Sequence, residues 1–141
     1  MFSSILVPLD LSDRNTEALR LAASLLAPGG RLTLLHVVEL IPGLSREEEP
    51  AFYARLERAA HEQLGAHART LEAEGCAPEV VIEAGRRVEV IVTQAADHAL
   101  VVLASHRIDP STPARSWGTL SYQIGLLAPA SVLLVKSGEA Q

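Results

Sequence analysis

Ala99-Leu100-Val101-Val102-Leu103-Ala104-Ser105 opens with six apolar residues in succession and then gives way to a long polar stretch. An unbroken apolar run of this length, with no polar residue at alternate positions, suits a strand buried on both faces. Four more runs share its character: Ile5-Leu6-Val7-Pro8-Leu9-Asp10, Leu32-Thr33-Leu34-Leu35-His36-Val37-Val38, the weaker Glu79-Val80-Val81-Ile82-Glu83, and Ser131-Val132-Leu133-Leu134-Val135. Between them the period turns helical. Ala18, Leu19, Ala22, Leu25 and Leu26 form one stripe, with Ser12 or Asp13 as N-cap and Pro28-Gly29-Gly30 as the stop. Phe52, Leu56, Ala60, Leu64, Ala68 and Leu71 form a second that ends at Gly75. Val88, Ile91, Val92 and Ala95 form a third, and Leu120, Ile124, Leu127 and Ala128, closed by Pro129, a fourth. Strand and helix thus alternate four times before a fifth strand. That order predicts an α/β fold, a doubly wound five-stranded parallel sheet of order 3-2-1-4-5 with helices on both faces.

Composition sets the class. The chain has 141 residues, 48% of them apolar and 21% charged, which fits one folded domain over 1–141 and excludes disorder. Seventeen acids against twelve bases give a net charge of −5, so no nucleic-acid or anionic-membrane surface is expected. No apolar run approaches the roughly 18 residues of a membrane span. No basic region precedes an apolar stretch at the N-terminus, so no signal peptide is expected. The single cysteine, Cys76, makes no internal disulfide and suits a reducing cytoplasm.

In doubly wound sheets ligands bind where the strand order reverses, beyond the carboxyl ends of the flanking strands. Here those are the first and fourth, so a site is sought at Asp10 and from Ser105 onward. The stretch Ser105-His106-Arg107-Ile108-Asp109-Pro110-Ser111-Thr112-Pro113-Ala114-Arg115-Ser116-Trp117-Gly118-Thr119 joins the fourth strand to a helix. Free amides at Gly118 and Thr119, with the positive end of the helix dipole, make an anion site; the alternative is a surface loop capped by Gly-Thr. Asp10 either accepts a bond from a bound base or sugar or caps the following turn. Ser12 reads as an N-cap. His36, inside a strand, reads as a packed residue, and Arg86-Arg87 as a solvated pair away from the site. His61 and His67 are six apart, which puts them on different faces of a helix and makes no metal site. His106 is the one histidine placed for chemistry. Ser105, His106 and Asp109 make no hydrolase triad, since no G-x-S-x-G elbow is present. Walker and dinucleotide glycine motifs are absent too.

Ile5-Leu6-Val7-Pro8-Leu9-Asp10-Leu11-Ser12, Leu34-Leu35-His36-Val37, Gly85, Leu103-Ala104-Ser105-His106-Arg107, Gly118-Thr119 and Ala128-Pro129-Ala130-Ser131-Val132-Leu133-Leu134-Val135 resemble, in this order and spacing, the universal stress protein family. The resemblance covers nearly the whole chain. It implies a Rossmann-like fold of the adenine-nucleotide alpha hydrolase type, and a homodimer. Many members bind ATP through G-x2-G-x9-G-[ST] after the fourth strand. By resemblance the adenine pocket involves Pro8, Leu9, Asp10, Val37 and Leu103. Phosphates then lie against Ala104, His106, Arg107, Gly118, Thr119 and Leu120. Ala104 and Arg107 stand where the first two glycines would be, and ten residues instead of nine separate Arg107 from Gly118. Arg107 offers charge-assisted bonds in place of a close backbone approach.

Two functions follow as expectations. One is a nucleotide-binding stress-response module holding ATP or AMP, with or without Mg2+, as a regulatory dimer; any hydrolysis is expected to be slow, since no acid cluster binds metal and no catalytic residue is assigned. The other is a nucleotide-free dimeric interaction module of the same family, with Arg115 and Trp117 docking an unknown protein partner; the alternative for Trp117 is core packing. In both, the fifth strand is a sheet edge, and Ser131 to Val135 pair with a second copy.

Overall fold

A computed structural model describes residues 1–106, 110–111 and 119–137, with the backbone alone at 106 and 119. The elements run β1 (Phe2–Pro8), α1 (Thr16–Leu25), β2 (Leu26–Glu39), α2 (Pro50–Ala73), β3 (Glu79–Gly85), α3 (Arg87–Ala95), β4 (Leu100–His106), α4 (Thr119–Leu127) and β5 (Ser131–Ser137). All strand pairs are parallel, and the sheet order is β3-β2-β1-β4-β5. The topology is the one the alternating periods predict.

The continuous apolar runs are explained by the two cores. Ile5, Val7, Leu9, Leu32, Leu34 and Val102 pack on one face against Ala18, Leu19 and Ala22 of α1 and Leu64 and Leu71 of α2. Leu6, Leu35, Val37, Val101 and Leu103 pack on the other against Ile91 and Ala95 of α3 and Ile124 of α4. Successive residues of β1 therefore enter opposite cores, which is why polar residues cannot alternate there.

Local signals set the helix ends. Pro50 opens α2, where its missing N–H costs nothing. Gly75, at φ +90°, closes it: the Cys76 N–H donates to Leu71 O at 2.8 Å and the Gly75 N–H to Glu72 O at 3.0 Å. This is a Schellman stop, and the left-handed residue at its centre is the expected glycine. Two expectations at α1 are corrected. The N-cap is Asn15, whose side chain makes no capping bond, while Ser12 Oγ donates to Asp10 and accepts the Arg14 N–H at 3.3 Å in the turn before the helix. The helix stops at Leu25, and Pro28-Gly29-Gly30 lie within β2 as a bulge. The β1–β2 register passes from Phe2↔Leu26 to Ser4↔Arg31, setting residues 27–30 against one residue of β1. Gly29 takes φ +75° there, and a Cβ on Gly30 would lie 2.8 Å from Ala27 O.

Tyr53, which the second stripe misses, is buried where Phe52 is only half-buried. Its hydroxyl takes the Ile41 N–H at 3.0 Å and donates to Leu44 O at 2.5 Å. The segment between β2 and α2 is thus tied to the helix that follows it.

Candidate functional site

β1 and β4 pair only at Ile5↔Leu100 and Leu6↔Val101, and past these the ladder ends. Their chains leave for opposite faces, β1 toward α1 and β4 toward α4, so a crevice opens at the carboxyl ends of the two strands. It is lined by Pro8, Leu9, Asp10 and Asn15 after β1, Leu35, His36 and Val37 of β2, Leu103 and Ala104 of β4, Arg87 and Ile91 of α3, and Leu120 of α4. Seven residues named from the sequence (Pro8, Leu9, Asp10, Val37, Leu103, Ala104 and Leu120) are thereby brought together. The closed part holds about 70 Å3, below the roughly 300–1,000 Å3 of a small-molecule site. It does not end there. Arg87 and Leu120 also line an open groove of about 550 Å3 with Glu39, Arg86, Gln123 and Leu127. Asp10 and Ala104 also line a small cleft with Arg14, Ser105 and Ser137.

Asp10 sits at the junction of crevice and cleft, and its two sequence readings are not exclusive. Its Oδ1 accepts bonds from the Ser12 N–H at 3.0 Å, Ser12 Oγ at 2.5 Å and Asn15 Nδ2 at 3.2 Å. That is an Asx turn. All three bonds fall on one oxygen, so the turn fixes the carboxylate and still leaves Oδ2 to a ligand. Burial alone would raise its pKa. The bonds from Ser12 and Asn15 and the charge of Arg14 outweigh burial and hold the pKa below the ordinary carboxylate value. Asp10 is therefore an anion and an acceptor at neutral pH.

Backbone bonds fix the adjoining wall. The Leu9 N–H donates to Leu35 O at 2.7 Å, and His36 Nδ1 lies 2.7 Å from Leu9 O. A carbonyl only accepts, so Nδ1 carries the hydrogen, and in the neutral ring Nε2 is an acceptor. His36 is packed as expected, yet it also lines the crevice.

Arg87 corrects its sequence reading. It is not remote from the site but forms part of its wall, with Nη2 3.4 Å from Glu39 Oε2. The signal was available: in a parallel sheet every strand ends on the same side, so the first residue of α3 reaches the same rim. Asn15 was missed too: it stands five residues from Asp10, outside the Asx spacing that Ser12 fills, and nothing in the sequence marks it. Across the crevice, Ser105 Oγ lies 3.3 Å from Lys136 Nζ and 3.5 Å from Ser121 Oγ. These place a cation and two hydroxyls at the ends of β4 and β5. Arg107, Asp109, Arg115, Trp117 and Gly118 lie outside the described residues, as do the side chains of His106 and Thr119. Among the described residues no group of three or more His, Cys, Asp or Glu could hold a metal ion, and no helix is long and apolar enough to cross a membrane.

Residues 1–136 match the universal stress protein family. The chain belongs to that family. Among solved structures it is similar to the hypothetical protein MJ0577, at 23% identity over 99% of both chains, with a TM-score of 0.80. It is similar also to a universal stress protein in complex with cAMP, at 21% identity over 97% of this chain and 98% of the other, TM-score 0.62. A third is a family protein from Arabidopsis thaliana with AMP bound, at 16% identity over 96% and 92%, TM-score 0.69. No curated protein matches the chain. At these identities the likeness carries the fold, and the crevice geometry has to carry the chemistry.

Proposed function

We propose that this family member is a nucleotide-binding regulatory module that holds ATP or AMP in the crevice between β1 and β4. The observation that carries the reading is the fixed carboxylate of Asp10, which separates an apolar slot from a corner rich in donors. The slot walls, Pro8, Leu9, Val37, Ile91 and Leu103, suit a flat heterocycle. Asp10 Oδ2 accepts from the ribose hydroxyls. The phosphates run past Ala104 toward Ser105, Ser121, Arg14 and Lys136, joined by His106, Arg107, Gly118 and Thr119. The AMP and cAMP held by two proteins of the same fold support a nucleotide as ligand. The bound nucleotide acts as a signal, and any hydrolysis is slow.

The module works as a homodimer in the cytoplasm. β5 is a sheet edge whose Val132 to Val135 are only half-buried, and Tyr122 and Leu126 of the neighbouring α4 are each 67% exposed. Pairing Ser131 to Val135 with a second copy covers both. Light scattering at micromolar concentration is expected to give a dimer mass; a monomer overturns this part.

Calorimetric titration of nucleotide-stripped protein with ATP and with AMP, each with and without Mg2+, tests the site. Micromolar binding is expected. No heat, and no shift in melting temperature at millimolar nucleotide, rejects the reading and favours the nucleotide-free interaction module.

A further inference from the structure

Arg87 is the one cation among the described residues that line the crevice, and it stands where the crevice passes into the open groove. The other walls at this end are aliphatic: Val37 from β2, Ile91 from α3 and Leu120 from α4. Arg86 and Glu39 line the open groove beside it, while Asp10, Arg14 and Ser105 gather around the small cleft, with Lys136 beside Ser105. An anionic tail directed to that cleft leaves Arg87 facing the opposite, uncharged part of the ligand. Its pairing with Glu39 is long, at 3.4 Å, and Arg87 is 45% exposed, so that contact holds it weakly and rearranges at little cost. A guanidinium is planar and weakly hydrated, and it stacks on aromatic faces where an ammonium does not.

We propose that Arg87 is a specificity-determining residue of the crevice, its guanidinium lying on the face of the nucleotide's aromatic base and closing the slot over it. This rests on the nucleotide reading above. Arg87 acts on the base, so it contributes equally to a nucleoside and to its phosphorylated forms.

The test uses the full chain, titrated with adenosine and with ATP in the wild type and in Arg87→Ala, Arg87→Lys and Glu39→Gln. Arg87→Ala is expected to weaken both ligands by the same factor, about fivefold to tenfold. Arg87→Lys, which keeps the charge and loses the plane, is expected to resemble Arg87→Ala. Glu39→Gln, which removes the ion pair and keeps the guanidinium, is expected to bind as the wild type does. Thermal melting of each variant confirms a folded protein. Unchanged adenosine affinity in Arg87→Ala overturns the proposal, and so does a loss confined to ATP, which would make Arg87 a phosphate contact. Full affinity in Arg87→Lys overturns stacking, and a loss in Glu39→Gln equal to that in Arg87→Ala shows that Arg87 acts through the ion pair. A wild type that binds neither ligand rejects the nucleotide reading itself, an outcome distinct from all of these.

Discussion

The side chain of Asn15, only 2% exposed, donates to the carbonyl of Asp10 at 3.0 Å and to its carboxylate at 3.2 Å. A third contact, to Ser12 O at 3.3 Å, closes the turn between β1 and α1. One buried amide thus holds the backbone and the side chain of the residue at the mouth of the crevice. Asn15→Ala is expected to lose about 0.5–1.5 kcal/mol of stability, because the turn loses its bonds while the acceptors on exposed Asp10 and half-buried Ser12 turn to water. It is expected also to weaken ATP binding, because Asp10 loses the bonds that fix it. Urea unfolding and calorimetry on the same preparation check both. Asn15→Asp is expected to be worse for binding, since it sets a second carboxylate against the first.

The depressed pKa of Asp10 ties stability to pH. Its ionised form is favoured in the folded chain, so its contribution is complete above the unfolded carboxyl value, about 4. That contribution is lost as pH falls through the lower folded value. The urea midpoint of the wild type is therefore expected to exceed that of Asp10→Asn at pH 7, and the gap to shrink by pH 3. A gap that stays constant with pH would show that the carboxylate's charge contributes nothing to the turn.

The sheet order was legible because each strand feeds two cores, and that demand suppresses polar residues at every position of Ile5 to Leu9 and Leu100 to Ala104. The crevice was legible for the same reason, since topology alone says where the strand order reverses. What escaped the sequence lies in side chains whose roles depend on a third dimension. Ser12 has the composition of an N-cap, but its hydroxyl donates to Asp10 and accepts the Arg14 N–H in the turn ahead of the helix. Asn15 looks like any polar residue before a helix until its burial is known. The parallel topology brings Arg86 and Arg87 to the rim together, but nothing in the pair tells which one lines the crevice. Pro28-Gly29-Gly30 reads as a stop, yet the extended chain has already begun at Leu26.

A second buried polar contact joins distant parts of the chain. His98 Nδ1 lies 2.8 Å from Gln94 O, and Nε2 lies 2.9 Å from the Thr33 hydroxyl, inside β2. The carbonyl fixes the hydrogen on Nδ1, so the neutral ring accepts from Thr33. Thr33→Val keeps the shape and removes the donor. It is expected to cost about 1–3 kcal/mol, read as a lower urea midpoint with an unchanged slope. The same midpoint in variant and wild type would mean that His98 finds another partner.

Tyr53 holds the segment that follows β2 through Ile41 and Leu44. Tyr53→Phe leaves the ring in the core and removes both bonds. The expected stability loss is about 0.5–1.5 kcal/mol, since Ile41 is half-exposed and its amide can turn to water. The sharper readout is hydrogen exchange, which is expected to quicken at Ile41 and Leu44 and to stay unchanged in β1. Exchange unaltered at Ile41 would show that the hydroxyl does not restrain the segment.

Lys136 is the only lysine in the chain, and its ammonium reaches Ser105 at the carboxyl end of β4. In the proposed binding mode this charge meets the outer phosphates, while adenosine leaves it unused. Lys136→Ala is therefore expected to weaken ATP about tenfold, the range of one charge-assisted bond, and to leave adenosine unchanged. The ATP deficit is expected to narrow as salt rises from 50 to 500 mM, on the order expected when exposed charges are screened. Calorimetry at the two ionic strengths decides it. An equal loss for adenosine would place the lysine's role in the packing of Ser105 and Ser121, and would move the phosphate-binding charge to the stretch that follows β4.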